Sequence, residues 1–422
     1  MAIGAQTLLV YLNDSPMGRL LRQKGGKLSF EYTSEYLGDS GAVPLSLSMP
    51  LEDRKYSHEV ISPWLWGLLP DNELILARWA QRFQVSASNC FGLLEGMGED
   101  CAGAVRFIRP ENIDRALKGG RQRLDESDLE RRLKELRKDP AMGREPEDRG
   151  QFSLAGAQTK TALQKRGSNW YVPWGREPTT HILKPPRPDI DGHVENEHFC
   201  LCLAGELGLP VARSEILHFG QEIAIAVERY DRVMHQSRLI RVHQEDVCQA
   251  LGIHPARKYQ NEGGPDISKM MDLMNRSSQP VEDRTRIMEA IAFNYLILGT
   301  DAHAKNYSLL LGRNQQVRLA RLYDMASFLP YVDRHKDCRF AMKIGGYYKD
   351  AQIQPRHFDK LARTCEFSAR TMTGIVLAMA ERIPDAADRV IRTMSDKGVS
   401  HQVVNNLVEL LKKRASGKAK EF

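Results

Sequence analysis

The hydrophobic period of this chain changes near its middle, and that change limits its possible folds more than any other feature. Up to about residue 230 many apolar segments are short and strand-like. "TLLVYLNDSPMGRL" is an apolar run, a turn over Asn13, Asp14, Ser15 and Pro16, and a second short strand. "KLSFEYTSEYL" places Leu28, Phe30 and Tyr32 at period two, and "NWYVPW", "THILK" and "EIAIAVERY" suit a sheet. From about residue 235 helical spacing takes over. "VEDRTRIMEAIAFNYLILG" carries Met288, Ile291, Tyr295 and Leu298 at helical spacing, and "SHQVVNNLVELLKK" behaves likewise. The basic segment after Ser416 is expected to be a disordered tail. Strands first and helices later, with no internal repeat, predict an α+β protein.

Helical stretches also interrupt the first half. "SPWLWGLLPDNELILARWAQRF" shows helical spacing at Leu74, Ala77 and Trp79, and its Trp64, Trp66 and Trp79 are assigned to core packing. "SDLERRLKELRKD" has Ser127 and Glu130 at capping-box spacing, with Leu129, Leu133 and Leu136 on one face of a surface helix. "DPAMGREPEDRGQ" then reads as a mobile linker. "ENEHFCLCLAGELGL" predicts a helix with Phe199, Leu203 and Leu207 on one stripe, closed by Gly208.

With 422 residues the chain is long enough for two or three domains, and 42% hydrophobic with 27% charged residues is an ordinary globular composition. A formal charge of +6 permits a basic patch without requiring nucleic-acid binding. The seven cysteines include no CxxC pair, which points to a reducing compartment and no zinc site. "MAIGAQTLLVYLND" has neither a basic n-region nor a long apolar run, and no apolar run reaches the length of a membrane span. A cytoplasmic protein without membrane contact is expected.

The chemistry concentrates in "GTDAHAKNYSLLL". Asp301 and Asn306 stand five apart, the spacing of a kinase catalytic loop. The aspartate takes or orients the proton of an attacking hydroxyl, and the asparagine oxygen is a hard ligand for magnesium that adds no charge. "LARLYDMASFLPY" supplies a second acid, Asp324, in the position of the metal-binding aspartate of D-F-G, although that phenylalanine and glycine are absent. Lys184 ends "THILK", where it can neutralise phosphates. Glu195 or Glu197 could pair with it, and spacing does not choose between them. "AVERYD" fits a hinge between lobes, with backbone groups of Glu228 and Tyr230 facing a purine. "SLAGAQTKTAL" looks at first like a Walker loop, but Thr159 stands where that pattern has its second glycine and only Gly156 is present.

Taken in order, "SLAGAQTKTAL", "THILK", "AVERYDR", "GTDAHAKNYS" and "YDMAS" resemble the bacterial HipA family, the serine/threonine-kinase toxins of HipBA toxin–antitoxin modules. The likeness extends to "LLPDNELILARWA" and "PRHF" and spans nearly the whole chain. It implies a bilobal protein-kinase-like fold: an α/β subdomain over 1–120, a sheet lobe over 121–230 with phosphate loop and hinge, and an all-helical lobe over 231–422. It implies ATP and magnesium, with Asp301 as catalytic base and Asn306 and Asp324 as metal ligands. The nucleotide would meet Ala155, Gly156, Ala157, Gln158, Thr159 and Lys160 of the loop, then Lys184, then Glu228, Arg229 and Tyr230 of the hinge. His303, Ala304, Lys305 and Asn306 of the catalytic loop, and Tyr323 beside Asp324, complete that set. Ser153 matches the serine that family members autophosphorylate, and a phosphate there would switch the enzyme off. Thr159 replaces a common acidic residue of the loop. By the same resemblance the protein substrate is an aminoacyl-tRNA synthetase, with glutamyl-tRNA synthetase the type case, and its phosphorylation arrests growth and promotes persistence. A dimeric helix-turn-helix antitoxin like HipB carries the contact with operator DNA. The competing readings are a small-molecule or lipid kinase and a non-catalytic transcriptional regulator. Intact Asp301, Asn306, Asp324 and Lys184 weigh against the second.

Overall fold

Strand alternation builds the first unit of the computed structural model, which describes residues 6–145, 147–334 and 337–422. Strands β1 (Gln6–Leu12), β2 (Ser15–Arg22), β3 (Leu28–Tyr32), β4 (Lys55–Tyr56) and β5 (Val105–Ile108) form an antiparallel sheet in the order β4-β3-β2-β1-β5. The first turn is tighter than expected. Asn13 takes a left-handed φ of 55°, and Ser15 and Pro16 already belong to β2, beside a register shift at Tyr11. A proline fits there because it lies at the strand's start and at a bulge. Helices α1 (Ser34–Leu37), α2 (His58–Gly67), α3 (Glu73–Phe83) and α4 (Cys90–Met97) complete the unit. Trp64 and Trp79 are buried as expected and Trp66 is half-buried. The inward stripe of α3 is Ile75, Trp79 and Ala80, whereas Leu74 is 75% exposed and Ala77 faces solvent. The helix starts at Glu73, capped by Asn72, and tertiary packing sets which stripe faces inward.

A short helix α5 (Ile113–Leu117) leads into the second sheet. It consists of β6 (Gly119–Leu124), β7 (Thr161–Arg166), β8 (Asn169–Gly175), β9 (His181–Lys184), β10 (Ser214–Phe219) and β11 (Glu222–Glu228), in the order β10-β11-β9-β7-β8-β6. Helices α6 (Glu126–Lys138) and α7 (His193–Glu206) flank it. Leu129, Leu133 and Leu136 of α6 are buried, but its cap is an Asp125–Asp128 capping box and not Ser127 with Glu130. The expected mobile linker after α6 is instead stitched down. Asp148 takes both arms of buried Arg132 at 2.8 and 2.7 Å, Thr161 donates to the Gly143 carbonyl at 2.6 Å, and Trp79 donates to that of Ala141 at 3.0 Å. Charges that read as solvated in isolation are consumed by one another.

The remaining chain is helix-dominated but not all-helical, as it was expected to be. Short strands β12 (Arg232–His235), β13 (Arg238–Arg241), β14 (His243–Asp246), β15 (Ser308–Leu311), β16 (Val317–Leu319), β17 (Arg339–Ile344) and β18 (Tyr347–Lys349) lie among helices α8 (Val247–Ala250), α9 (Ile267–Met274), α10 (Pro280–Leu296), α11 (Pro355–Thr364), α12 (Ala369–Asp396) and α13 (Gln402–Glu421). The segment after Ser416 is helical, contrary to the expected disordered tail. Phe422 packs its ring 5.3 Å from Phe358, and Lys418 sits 5.3 Å over Tyr295. Among the described residues, no helix is long and apolar enough to cross a membrane.

A buried charge knot joins the first unit to the rest. Asp100 accepts from Thr179 Oγ1 at 2.6 Å, Arg241 Nε at 2.8 Å and Arg232 Nη2 at 3.0 Å. Burial alone would raise its pKa, but the guanidiniums of Arg232, Arg241 and Arg229 outweigh that and hold it well below the usual carboxylate range. Nearby, Glu245 of β14 accepts from Leu47 N at 2.7 Å and Trp64 Nε1 at 3.1 Å. Asp100→Ala would leave three buried guanidiniums without their shared anion. It should lower the unfolding free energy by about 3–5 kcal/mol in urea titrations. A depressed carboxylate stabilises the fold above its unfolded pKa, so the wild type's advantage should persist at neutral pH and shrink below about pH 4. A loss under about 1 kcal/mol would show the knot to be dispensable.

Candidate active site

Between the second sheet and the helical half lies a cleft of about 340 Å³. Most residues singled out from sequence converge on it: Asp301, Ala155 to Gln158, Lys160, Lys184, the Glu228–Arg229–Tyr230 hinge, His303, Lys305, Asn306, Tyr323 and Asp324. Thr159, Ala304 and Ser153 are not among its walls.

Lys184 comes from the end of β9 and is 7% exposed. Its Nζ donates to Glu197 Oε1 and to Asp324 Oδ1, both at 2.7 Å. Glu197 is therefore the helix glutamate, and Glu195 is not. Burial would pull the Lys184 pKa down, but the charges of Asp324 and Glu197 more than offset this and keep it raised. Asp324 is held well down: burial opposes ionisation, and the Lys184 ammonium, in direct contact, overcomes it. Its backbone has φ 55°, uncommon for a non-glycine residue.

The loop that precedes β7 curls over the cleft. Gly156 has φ 103°, a backbone conformation that L side chains rarely adopt, so the turn demands glycine; the nearest atom to a Cβ there would be the mobile end of Lys160. Lys160 itself donates to the Ala155 carbonyl at 2.6 Å. Gln158 Nε2 lies 3.3 Å from His193 Nδ1 at the start of α7. Ser153 points away from the cleft. It is fully buried and donates to the Leu68 carbonyl at 2.8 Å.

The catalytic-loop segment follows α10 through Leu298, itself at φ 54°, and turns through Ala304–Asn306. Asn306 Nδ2 donates to the Asp301 carbonyl at 3.0 Å, which leaves its amide oxygen to accept or ligate. The Asp301 carboxylate takes a hydrogen bond from the Tyr259 phenol at 2.6 Å. At the hinge, the Glu228 N–H is spent on the Arg213 carbonyl at 2.8 Å. The Arg229 guanidinium bonds Thr179 Oγ1 and the Cys101 carbonyl, each at 2.8 Å, so the hinge offers the cleft backbone there, not that side chain. Tyr230 stacks obliquely on Tyr323, with ring centres 5.7 Å apart. Tyr323 donates to the Lys305 carbonyl at 2.6 Å.

Among the residues that escaped the sequence reading are Asp71 and Lys258 on the cleft wall, and Tyr259, which reaches Asp301. Asp71 accepts from Lys305 at 2.5 Å and from Lys258 at 2.9 Å. The only signal was "LLPDNEL", where Asp71 passes for a residue of a helix start. Two buried atoms on the cleft wall, Glu197 Oε2 and His303 Nδ1, have no protein partner, as expected where a polar ligand is to be received. Among the described residues no three His, Cys, Asp or Glu side chains cluster as a metal cage. A hard cation here would use Asp324 and the Asn306 amide oxygen and complete its shell from phosphates and water, the usual habit of magnesium.

The sequence matches the model of the HipA-like C-terminal domain over residues 152–387 and that of the HipA N-terminal domain over residues 8–108. The chain belongs to the HipA family. It is 32% identical to the putative kinase Y4mE of Sinorhizobium fredii, over 97% of this chain and 98% of that protein. It is 28% identical to the serine/threonine-protein kinase toxin HipA of Shewanella oneidensis, over 91% of this chain and 89% of that one. Its structure is similar to that of Shewanella oneidensis HipA in complex with HipB and operator DNA, with a TM-score of 0.84 and 26% identity, covering 98% of this chain and 97% of that chain. The α+β, two-lobed kinase-like fold is thus the HipA fold.

Within this HipA-family cleft the lysines differ in how firmly they hold their protons. Burial and the nearby Lys184 ammonium lower the Lys160 pKa to about 8, while Lys184 is held above its ordinary value. Below about 8 Lys160 is a cation, and above it a free amine. An amine-selective acylating reagent should therefore label Lys160 with a rate rising through about pH 8, and leave Lys184 untouched there. Mass spectrometry that finds Lys184 modified as fast as Lys160 would contradict this assignment.

Proposed function

We propose that the chain is an ATP- and magnesium-dependent protein serine/threonine kinase acting as the toxin of a toxin–antitoxin pair. The observation that carries this reading is the meeting of Asp301, Asn306, Asp324 and the Lys184–Glu197 pair around one cleft. Asp301 takes the proton of the attacking serine or threonine hydroxyl. Lys184, oriented by Glu197, neutralises phosphate charge, and Lys160 and Lys305 add to the positive wall. The backbone of residues 155–158 covers the phosphates, and Tyr230 and Tyr323 give the purine an apolar floor. Asp324 and the Asn306 amide oxygen would hold a magnesium ion, which would supply charge neutralisation on the transferred phosphoryl group.

The substrate follows from the family resemblance: an aminoacyl-tRNA synthetase, glutamyl-tRNA synthetase first. A HipB-like antitoxin and operator DNA are proposed as partners because the Shewanella oneidensis relative is known in a complex with both. Ser153 is proposed as the autophosphorylation site. Its hydroxyl is packed on Leu68, with no room for a phosphate, so modification requires the loop to leave the cleft. Once added, a phosphate of about −1.5 to −2 charge at neutral pH could not re-enter the buried contact with Leu68 and would oppose the loop's return.

Asp301→Asn should slow transfer of labelled phosphate to protein by on the order of 10²–10⁴, and Asp324→Ala should abolish it together with toxicity. Retained transfer in both would remove the mechanism. Label recovered on a metabolite, with none on protein from host lysate, would favour a small-molecule kinase. Ser153→Asp should bind ATP more weakly than wild type, and equal binding and turnover would exclude the switch.

A further inference from the structure

We propose that residues 68–72, which belong to the first unit, staple the phosphate loop to the catalytic loop, with Asp71 as the positioning residue at the centre. The inference rests on the kinase reading for its consequence but on contacts for its existence. Along the backbone, the segment runs parallel to the phosphate loop. The Leu68 carbonyl accepts from Ser153 Oγ at 2.8 Å, and Pro70 forms a parallel bridge with Gly156. Asp71 N donates to the Gly156 carbonyl at 3.3 Å, and Asn72 Nδ2 donates to that of Ala157 at 3.4 Å. Asn72 also caps α3, so the staple is rooted in a helix.

The Asp71 side chain reaches the other way, across to the helical half. Its two oxygens are divided between Lys305 of the catalytic loop at 2.5 Å and Lys258 at 2.9 Å. Both members of the Lys305 pair are largely buried, at 3% and 11% exposure, and such a pair resists screening by salt. Burial would favour a neutral Asp71, but the two ammonium groups outweigh it and keep it ionised. The pair also solves a packing problem. Lys160, Lys184, Lys258 and Lys305 line one small cleft and repel one another. A lysine is a flexible stem with a point charge, and an anion on a fixed backbone gives Lys305 one position. The separation between the loop that covers the phosphates and the loop that carries Asp301 is therefore set by a third element outside both lobes. Asp71 acts through Lys305 and Gly156 and touches no reacting atom.

The test is Asp71→Asn in the full chain, which keeps shape and removes charge. Without nucleotide, hydrogen exchange of the amides over 153–160 should rise roughly tenfold, the loss expected for one charge-assisted bond. In steady state, kcat/KM for ATP should fall by about the same factor, with KM for the protein substrate unchanged and partial rescue by Asp71→Glu. Unchanged exchange at 153–160 in a folded Asp71→Asn protein overturns the staple. So does unchanged kcat/KM for ATP in that variant beside an active wild type. A wild type that neither binds a fluorescent ATP analogue nor transfers phosphate overturns the kinase reading instead, and the exchange result still decides the staple. If Asp71→Asn does not fold, Lys258→Met removes one arm from the opposite side. It should raise exchange over 153–160 in the same direction, and no rise overturns the proposal.

Discussion

A buried ammonium between two carboxylates is the point on which the arrangement turns. Lys184 leaves water at the end of a central strand and could stay charged only beside anions. Glu197 comes from α7, behind the sheet. Asp324 comes from the helical half and adopts a left-handed backbone to arrive. Three parts of the molecule are thereby tied to one atom, Lys184 Nζ. Glu197 is shielded and stays in place, whereas Asp324 faces the open cleft, with its side chain 42% exposed. A ligand that brings its own negative charge can thus take over part of the work of Asp324 at Lys184 and free that carboxylate for a cation. Glu197 keeps the lysine aimed throughout.

The first unit is more than an appendage to this centre. The Asp100 knot pins Arg229 and Arg232 directly behind the hinge, so the hinge backbone is fixed by charges that solvent does not reach. The turn before α3 meets the phosphate loop and, through Asp71, the catalytic loop. Both lobes are gripped by a common support.

Much of this was legible in sequence where the determinants are local. Leu28, Phe30 and Tyr32 alternate and are buried in β3; Met288, Ile291 and Tyr295 recur at helical spacing and are buried in α10. The five-residue step from Asp301 to Asn306 was readable because one short loop carries both, closed by the bond from Asn306 Nδ2 to the Asp301 carbonyl. The choice of Glu197 over Glu195 was not. Two positions near a helix start differ by the direction in which the helix faces, and tertiary packing sets that direction. Asp71 was illegible because its partners lie 187 and 234 residues away and a lone acid after proline has an ordinary local meaning. The segment after α6 and the C-terminal end of α13 were misread for one reason. Their polar and charged composition suggested hydration, but Arg132 with Asp148, and Phe422 with Phe358, supply partners that composition does not reveal.

On the proposed kinase reading, the Tyr259 phenol on Asp301 has a further consequence. Water is the smallest and most abundant acceptor, and an idle base invites it. Here the carboxylate already has a hydroxyl on it, bonded at 2.6 Å, so a lone solvent molecule gains little by displacing it. A large acceptor that brings binding energy from its own surface can afford the exchange. On this reading thrift is built into the resting geometry: the proposed base is occupied until an acceptor displaces the phenol.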